Sequence, residues 1–142
     1  MINKVNFLSD ISQLQKLLTA VLVIGLLLTT VSIVSAASWS KGLQGDCSSS
    51  QPKGDAWLNW SGYTSGSWGS TISQLDWWNG SGWTTYGYSE SGRVYGASNT
   101  ALAHSTAGYR SGLWSVGGLY SASFNPFNGS WQGPDWYNFS CQ

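Results

Sequence analysis

Residues 71–88 read Thr-Ile-Ser-Gln-Leu-Asp-Trp-Trp-Asn-Gly-Ser-Gly-Trp-Thr-Thr-Tyr-Gly-Tyr, two apolar-rich runs separated by a turn sequence. Asn79 and Gly80 open the turn, and both residue types tolerate the positive φ angles that a tight hairpin needs. The segment therefore predicts two antiparallel strands, 71–78 and 83–88, joined by residues 79–82.

The chain around this hairpin repeats its pattern of short apolar runs between Gly, Asn and Ser clusters, and no segment keeps a helical period over three turns. In the first of these runs Ala56, Leu58 and Trp60 alternate with more polar positions, as in a half-buried strand. Turns at such short intervals predict an all-β antiparallel sandwich of about seven strands, with a small closed barrel as the alternative. Besides the hairpin, we predict strands over 56–63, 93–103, 108–114, 118–124 and 136–141, with a turn at 115–117.

The segment before these strands, residues 37–53, is rich in Ser and Gly. It predicts a polar and mostly irregular lead-in, with room for one edge strand near Cys47. The predicted sandwich domain therefore covers residues 54–142.

The N-terminal third has the composition of a secretory leader. An uncharged, mostly aliphatic run over residues 17–34 follows Lys4 and Lys16 and precedes the small residues Ser35 and Ala36. That order predicts a signal peptide over 1–36. The run is also nearly long enough for an uncleaved membrane anchor. Both alternatives predict that residues 37–142 are secreted or lie on the extracellular cell surface.

The two cysteines, Cys47 and Cys141, lie near the two ends of the predicted extracellular part. Their spacing does not fit a redox or metal motif, and no histidine-rich segment accompanies them. Outside the cell, such a pair predicts a structural disulfide.

Ser105-Thr106-Ala107-Gly108-Tyr109-Arg110-Ser111 resembles the segment that enters strand F of immunoglobulin-like domains. There a tyrosine hydroxyl bonds back to the upstream backbone, the tyrosine corner. The resemblance implies an immunoglobulin-like sandwich in which Tyr109 is that structural tyrosine. Ser111 stands where these domains have their second cysteine, so the Cys47–Cys141 disulfide would tie the terminal strands instead. The chain also resembles small secreted β-sandwich proteins of bacteria and archaea.

The charges after residue 36 argue against two classes of partner. A nearly neutral chain with scattered cations lacks the basic surface that nucleic acids and anionic lipids require. We therefore expect no nucleic-acid partner, and membrane contact only through residues 17–34 if the leader is uncleaved. The four cations are Lys41, Lys53, Arg93 and Arg110, and the five acids are Asp46, Asp55, Asp76, Glu90 and Asp135.

Catalytic and metal-binding patterns are weak. His104 is the only histidine, no Gly-x-Ser-x-Gly motif accompanies it, and we interpret it as a loop residue. Asp76 and Glu90 could form a glycosidase pair across the hairpin, although both would lie near its ends. A calcium site from Asp55, Asp76 and Asp135 lacks a supporting loop spacing. We therefore predict no enzyme activity, metal or cofactor.

Tryptophan is the unusual component: all ten residues of this type lie from Trp39 onward. So small a domain cannot bury them all together with its other aromatic rings, and exposed apolar surface marks interaction sites. Exposed rings on a neutral β surface can stack on sugars, or they can form contacts between protein chains. The candidate ligand-binding residues are Trp57 and Trp136, on outward faces of strands, and Trp83 and Trp131, beside turns.

Four Asn-x-Ser sequons occur, which predict N-glycosylation in a host that performs it. Two fall on outward strand faces and two in turns, so a glycosylating enzyme could reach all four asparagines. In such a host we expect the protein to be a glycoprotein. The asparagines are Asn59, Asn79, Asn128 and Asn138.

These observations predict a secreted or cell-surface protein without catalytic activity that acts by extracellular interaction. The first hypothesis is a structural or adhesive protein that assembles with itself or with other surface proteins through exposed aromatics. The second is a small carbohydrate-binding module whose partner is a polysaccharide. A third, a bacteriocin-like secreted protein, is suggested only by size and the leader.

Overall fold

The computed structural model describes residues 36–48 and 51–142, so the predicted leader with its apolar run at 17–34 falls outside the described residues except for Ala36. Within the described ranges, no helix is of a length and apolarity that could span a membrane. Eight strands are present: β1 (Ser38–Ser48), β2 (Gln51–Ser61), β3 (Trp68–Trp78), β4 (Trp83–Glu90), β5 (Val94–Tyr95), β6 (Asn99–Thr106), β7 (Gly112–Ala122) and β8 (Gln132–Cys141).

The strands form two antiparallel sheets, which confirms the all-β prediction and gives a β-sandwich-like arrangement. The first sheet has three strands in the order β1-β2-β6. The second has five, in the order β4-β3-β7-β8, with the short β5 paired beside β3. We call these the three-stranded and the five-stranded sheet.

The predicted hairpin forms as β3 and β4, and the side chain of Asn79 holds its turn. The Asn79 Oδ1 atom accepts hydrogen bonds from the backbone amides of Ser81 at 2.8 Å and Gly82 at 2.9 Å. Gly80 adopts a φ of +93°, a conformation that glycine reaches without steric cost. The local sequence therefore specifies this turn without help from the rest of the fold.

The core lies between the inner faces of the two sheets. Ala56, Leu58 and Trp60 point inward from β2 and are buried, as their alternation predicts. Trp114 and Tyr120 on β7 are the largest fully buried side chains of the facing sheet. Burying a large apolar side chain contributes roughly 1.5–3 kcal/mol, so these rings contribute much of the stability.

The edge strand allowed for near Cys47 is present, but it spans residues 38–48 as β1, so the prediction of a mostly irregular lead-in outside the sandwich is wrong. Trp39 and Leu43 face the sandwich, but Lys41 and Gly45 stand at the inward positions beside them and hide the alternation. Lys41 reaches Asp135 on β8 at 2.7 Å, and a Cβ at Gly45 would overlap the ring of Phe139. These contacts join the two sheets and have no local sequence signature.

The two predicted strands 108–114 and 118–124 are a second error, because a single strand, β7, runs through Gly112–Ala122. The sequence predicts a turn at 115–117, with Gly117 as its last residue and Gly118 as the first residue of the next strand. In the structure they are extended strand positions on which rings pack: a Cβ at Gly118 would lie 2.5 Å from the Tyr120 hydroxyl. A third predicted strand, 93–103, is split into β5 and β6 around Gly96, whose φ is +145°.

The predicted disulfide between Cys47 and Cys141 is confirmed, with 5.5 Å between the two Cα atoms. It joins β1 to β8, and these are edge strands of different sheets. The Lys41–Asp135 ion pair spans the same edge. One side of the sandwich is thus closed by a covalent and an ionic link.

Candidate functional site

The outer face of the five-stranded sheet carries a row of polar side chains that crosses four strands. The strand register places Thr85 of β4 opposite Asp76 of β3, Asp76 opposite Ser115 of β7, and Ser115 opposite Asn138 of β8. Partners in one register row of an antiparallel sheet point to the same face. The four side chains therefore form a continuous polar floor.

Aromatic side chains rise on both sides of this floor. Trp83 is the register partner of Trp78, and the two rings form an edge-to-face pair with centroids 5.4 Å apart. Trp136 stands on β8 on the other side of the floor, opposite Gly117. Between them lies a groove of about 420 Å³, lined by Asp76, Trp83, Ser115, Trp136 and Asn138.

Asp76 is the acidic residue of the groove lining and is buried, with 6% of its surface exposed. The Nε2 group of Gln74 donates to both carboxylate oxygens, at 2.9 and 3.2 Å, and also to the Thr85 hydroxyl at 3.1 Å. The amide thus holds the carboxylate in place on the outer face. A β-bulge between Leu75 and Asp76 shifts the register of β3 with β4 at this point. Bulges change the direction of nearby side chains and are common beside functional sites.

The groove offers two kinds of contact to a ligand. Its walls are indole rings, of which Trp83 and Trp136 are 44% and 50% exposed, and its floor presents carboxylate, hydroxyl and amide groups. A mostly apolar concavity with a few convergent polar groups is the usual form of a small-molecule site. This arrangement suits a ligand with apolar faces and polar edges.

Of the four predicted ligand-binding tryptophans, the structure brings Trp83 and Trp136 together and leaves the other two elsewhere. Trp57 lies on the outer face of the three-stranded sheet, where its ring covers Gly42 of β1. Trp131 is exposed in the segment before β8. Sequence reasoning considered Asp76 only as a catalytic or calcium-binding candidate and placed Ser115 in a turn, so it missed both as floor residues; their pairing across β3 and β7 has no local sequence signal.

The sequon asparagines lie on outer faces and in turns. Asn59 is half-buried on β2, and its Oδ1 atom accepts a hydrogen bond from the Thr100 hydroxyl at 2.7 Å. Asn79 holds the β3–β4 turn, and Asn128 has a φ of +49° in the loop before β8. Asn138 lines the groove. Glycosylation at these positions stays a prediction.

The only histidine is a strand residue rather than the loop residue we expected. His104 lies on β6, and its Nδ1 atom pairs with the Asp55 carboxylate of β2 on the outer face of the three-stranded sheet. The carboxylates considered for a glycosidase do not oppose each other, since Glu90 lies opposite Ile72. Among the residues that the structure describes, no three His, Cys, Asp or Glu side chains cluster as metal ligands.

Tyr109, which resembles the tyrosine-corner residue, lies just before β7 and is 49% exposed. Its neighbour Arg110 stacks instead, with its guanidinium 4.6 Å from the Tyr86 ring centroid and 5.2 Å from that of Trp77. These contacts order the entry to β7 through cation–π attraction.

Comparison with protein-family models and with curated proteins finds no match for this chain.

Proposed function

We propose that the protein binds carbohydrate outside the cell, without catalysis, through the groove on the outer face of its five-stranded sheet. The observation that carries the proposal is that Trp83 and Trp136 flank a floor of Asp76, Ser115 and Asn138. Sugars present C–H faces that pack on aromatic rings and hydroxyl edges that need hydrogen-bond partners. The groove supplies both kinds of partner in one concavity.

The charge of the site supports a sugar over a nucleic acid. Stacking platforms for single-stranded nucleic acid combine aromatic rings with a positively charged groove. The residues lining this groove include an acid and no cation. A phosphate backbone would be repelled by Asp76, whereas sugar hydroxyls can donate to it.

We further propose an immunoglobulin-like topology and an extracellular location. Strands β1, β2 and β6 would correspond to strands A, B and E of such domains, and β4, β3, β7 and β8 to C′, C, F and G. The disulfide supports an oxidising compartment. The predicted leader and the sequons agree with secretion.

The test is a titration of the purified protein with a panel of soluble polysaccharides, in which tryptophan fluorescence and calorimetry measure binding. We expect at least one glycan to bind, and we expect Trp83→Ala and Trp136→Ala to weaken it by about 10-fold or more. Trp57→Ala and Trp131→Ala are matched controls, because they remove the same side chain outside the groove. Binding that is lost equally in the controls, or no binding by any glycan, would overturn the proposal.

Self-assembly through aromatic contacts is a second candidate, favoured by exposed apolar side chains outside the groove. Leu102 on the three-stranded sheet is 54% exposed, and Tyr95 and Trp131 are 55% and 45% exposed. Size-exclusion chromatography with light scattering separates the candidates. Large species without ligand support assembly, and a monomer shifted by one glycan supports the binding module. The bacteriocin-like alternative stays a prediction from the sequence.

A further inference from the structure

The carboxylate in the groove floor has no charged partner. Asp76 is almost completely buried, yet it makes no ion pair with any residue in the described part of the chain, whereas Asp135 pairs with Lys41. Its hydrogen-bond partner is the neutral amide of Gln74. Burying a charged carboxylate is costly unless a partner compensates it, so Asp76 favours a partner that donates hydrogen bonds or carries a positive charge.

Asp76 has acceptor capacity beyond its two hydrogen bonds from Gln74. A carboxylate offers about four lone-pair positions, and one amide N–H shared between the two oxygens leaves most of them open. Asp76 lines the groove directly, so a ligand can reach these positions. The carboxylate therefore favours a ligand that donates hydrogen bonds, and a cationic donor most of all.

The tryptophan walls of the groove also favour a positively charged ligand group. The faces of indole rings carry negative electrostatic potential and attract ammonium groups, with tryptophan the strongest of the aromatic residues. Trp83 and Trp136 border the cavity into which Asp76 points, and both are about half exposed. The carboxylate and both indole rings line one groove, so a single positively charged ligand has favourable partners on its floor and on its walls.

We propose that the groove selects a carbohydrate with a free amino group, a glucosamine-type sugar whose ammonium lies beside Asp76 and against the two indole rings. The inference rests on the proposed carbohydrate-binding function and names the chemical class of its ligand. The pyranose ring would contact a wall through its C–H face, while Ser115 and Asn138 bond its hydroxyl groups.

The test compares oligomers of glucosamine with N-acetylglucosamine oligomers of the same length, by calorimetry on the purified protein. The titrations are done at mildly acidic pH, where the 2-amino group of glucosamine is protonated and the 2-acetamido group of N-acetylglucosamine is neutral. We expect the glucosamine oligomer to bind about 10-fold or more tightly, and its affinity to fall as salt is raised. Asp76→Asn keeps the size of the side chain and removes its charge, and it should bring the ratio of the two affinities close to one.

The outcomes distinguish this inference from the proposed function. Equal binding of both oligomers by the wild-type protein would overturn the inference alone, and this comparison needs no variant. Binding of a neutral polysaccharide that depends on Trp136, together with no binding of glucosamine oligomers, would also overturn the inference and leave the proposed function intact. Failure of every carbohydrate would overturn the proposed function and the inference together. Glu90→Gln removes one exposed negative charge outside the groove lining and is the control for nonspecific adsorption of the cationic oligomer.

Discussion

The ring of Trp136 occupies the space that a side chain at Gly117 would fill. The two residues are register partners on β8 and β7, and a Cβ built on Gly117 would lie 2.5 Å from the Cζ3 atom of Trp136. Because Gly117 has no side chain, the ring of Trp136 can pack over it and form one wall of the groove.

Gly117→Ala should therefore weaken ligand binding without unfolding the protein. The added methyl group displaces the half-exposed ring of Trp136, and we expect a loss of affinity of about 10-fold, close to that of Trp136→Ala. Because the ring can rotate into solvent, the free energy of unfolding should change by less than about 1 kcal/mol. Calorimetric titration and urea unfolding measure the two quantities.

Gly66→Ala is the control, because nothing lies within 4 Å of a Cβ at that position. Unchanged affinity in Gly117→Ala would contradict the dependence of Trp136 on this glycine.

Removing the disulfide should destabilise the sandwich strongly. The Cys47–Cys141 bond closes a loop with a sequence separation of 94 residues and joins edge strands of different sheets. We expect Cys47→Ser/Cys141→Ser to lower the free energy of unfolding by about 2–4 kcal/mol, mainly because the unfolded chain gains entropy. Urea midpoints of the oxidised wild type and the variant measure the difference. Equal midpoints would show that the Lys41–Asp135 edge holds without the covalent link.

Tyr120 should make stability fall at alkaline pH. Its hydroxyl donates to the Gly42 carbonyl at 3.1 Å. Burial, followed by the negative charge of Asp135, raises the pKa of the Tyr120 hydroxyl well above its ordinary value of 10. The folded state therefore holds this proton more tightly than the unfolded state. The resulting stabilisation is complete below pH 10 and is lost as the pH rises toward the raised pKa.

Tyr120→Phe tests this linkage. At neutral pH the variant should lose about 1 kcal/mol, because the hydrogen bond to Gly42 is absent. Above about pH 10 its disadvantage should shrink, since phenylalanine has no proton to release. Chemical unfolding at intervals from neutral to alkaline pH gives the comparison. A constant difference across the series would contradict the raised pKa.

Two serines link the sheets through one buried carbonyl. The hydroxyls of Ser73 on β3 and Ser105 on β6 lie 2.9 and 3.1 Å from the Gly54 carbonyl and 2.7 Å from each other. Ser73→Ala and Ser105→Ala should each cost about 1–2 kcal/mol, because each leaves a buried partner less well satisfied. The double variant should cost less than the two added together, since the residues share one network. Strict additivity in the cycle would show that the hydroxyls act independently.

Local interactions explain where prediction from sequence succeeded. The β3–β4 hairpin depends on Asn79 and Gly80, whose turn preferences act within a few residues. The inward alternation of Ala56, Leu58 and Trp60 on β2 likewise follows from the two-residue period of a strand.

Prediction failed where a residue's role depends on a distant partner. Glycine is typical of loops, but Gly45 and Gly117 lie within strands, where the rings of Phe139 and Trp136 pack against them. Lys41 stands at an inward position because Asp135 on β8 pairs with it. Each of these partners is far along the chain, so no window of sequence contains both members of a contact.

The sequence by itself determined the all-β class, the central hairpin and the disulfide, since two cysteines permit only one intramolecular pairing. It also indicated that some tryptophans must be exposed. The tertiary structure alone decided which of them meet: Trp83 and Trp136 become the walls of one groove, and Asp76 its floor, through the register of β4, β3, β7 and β8. Register between strands depends on packing of both sheet faces and on bulges, which are properties of the assembled sandwich.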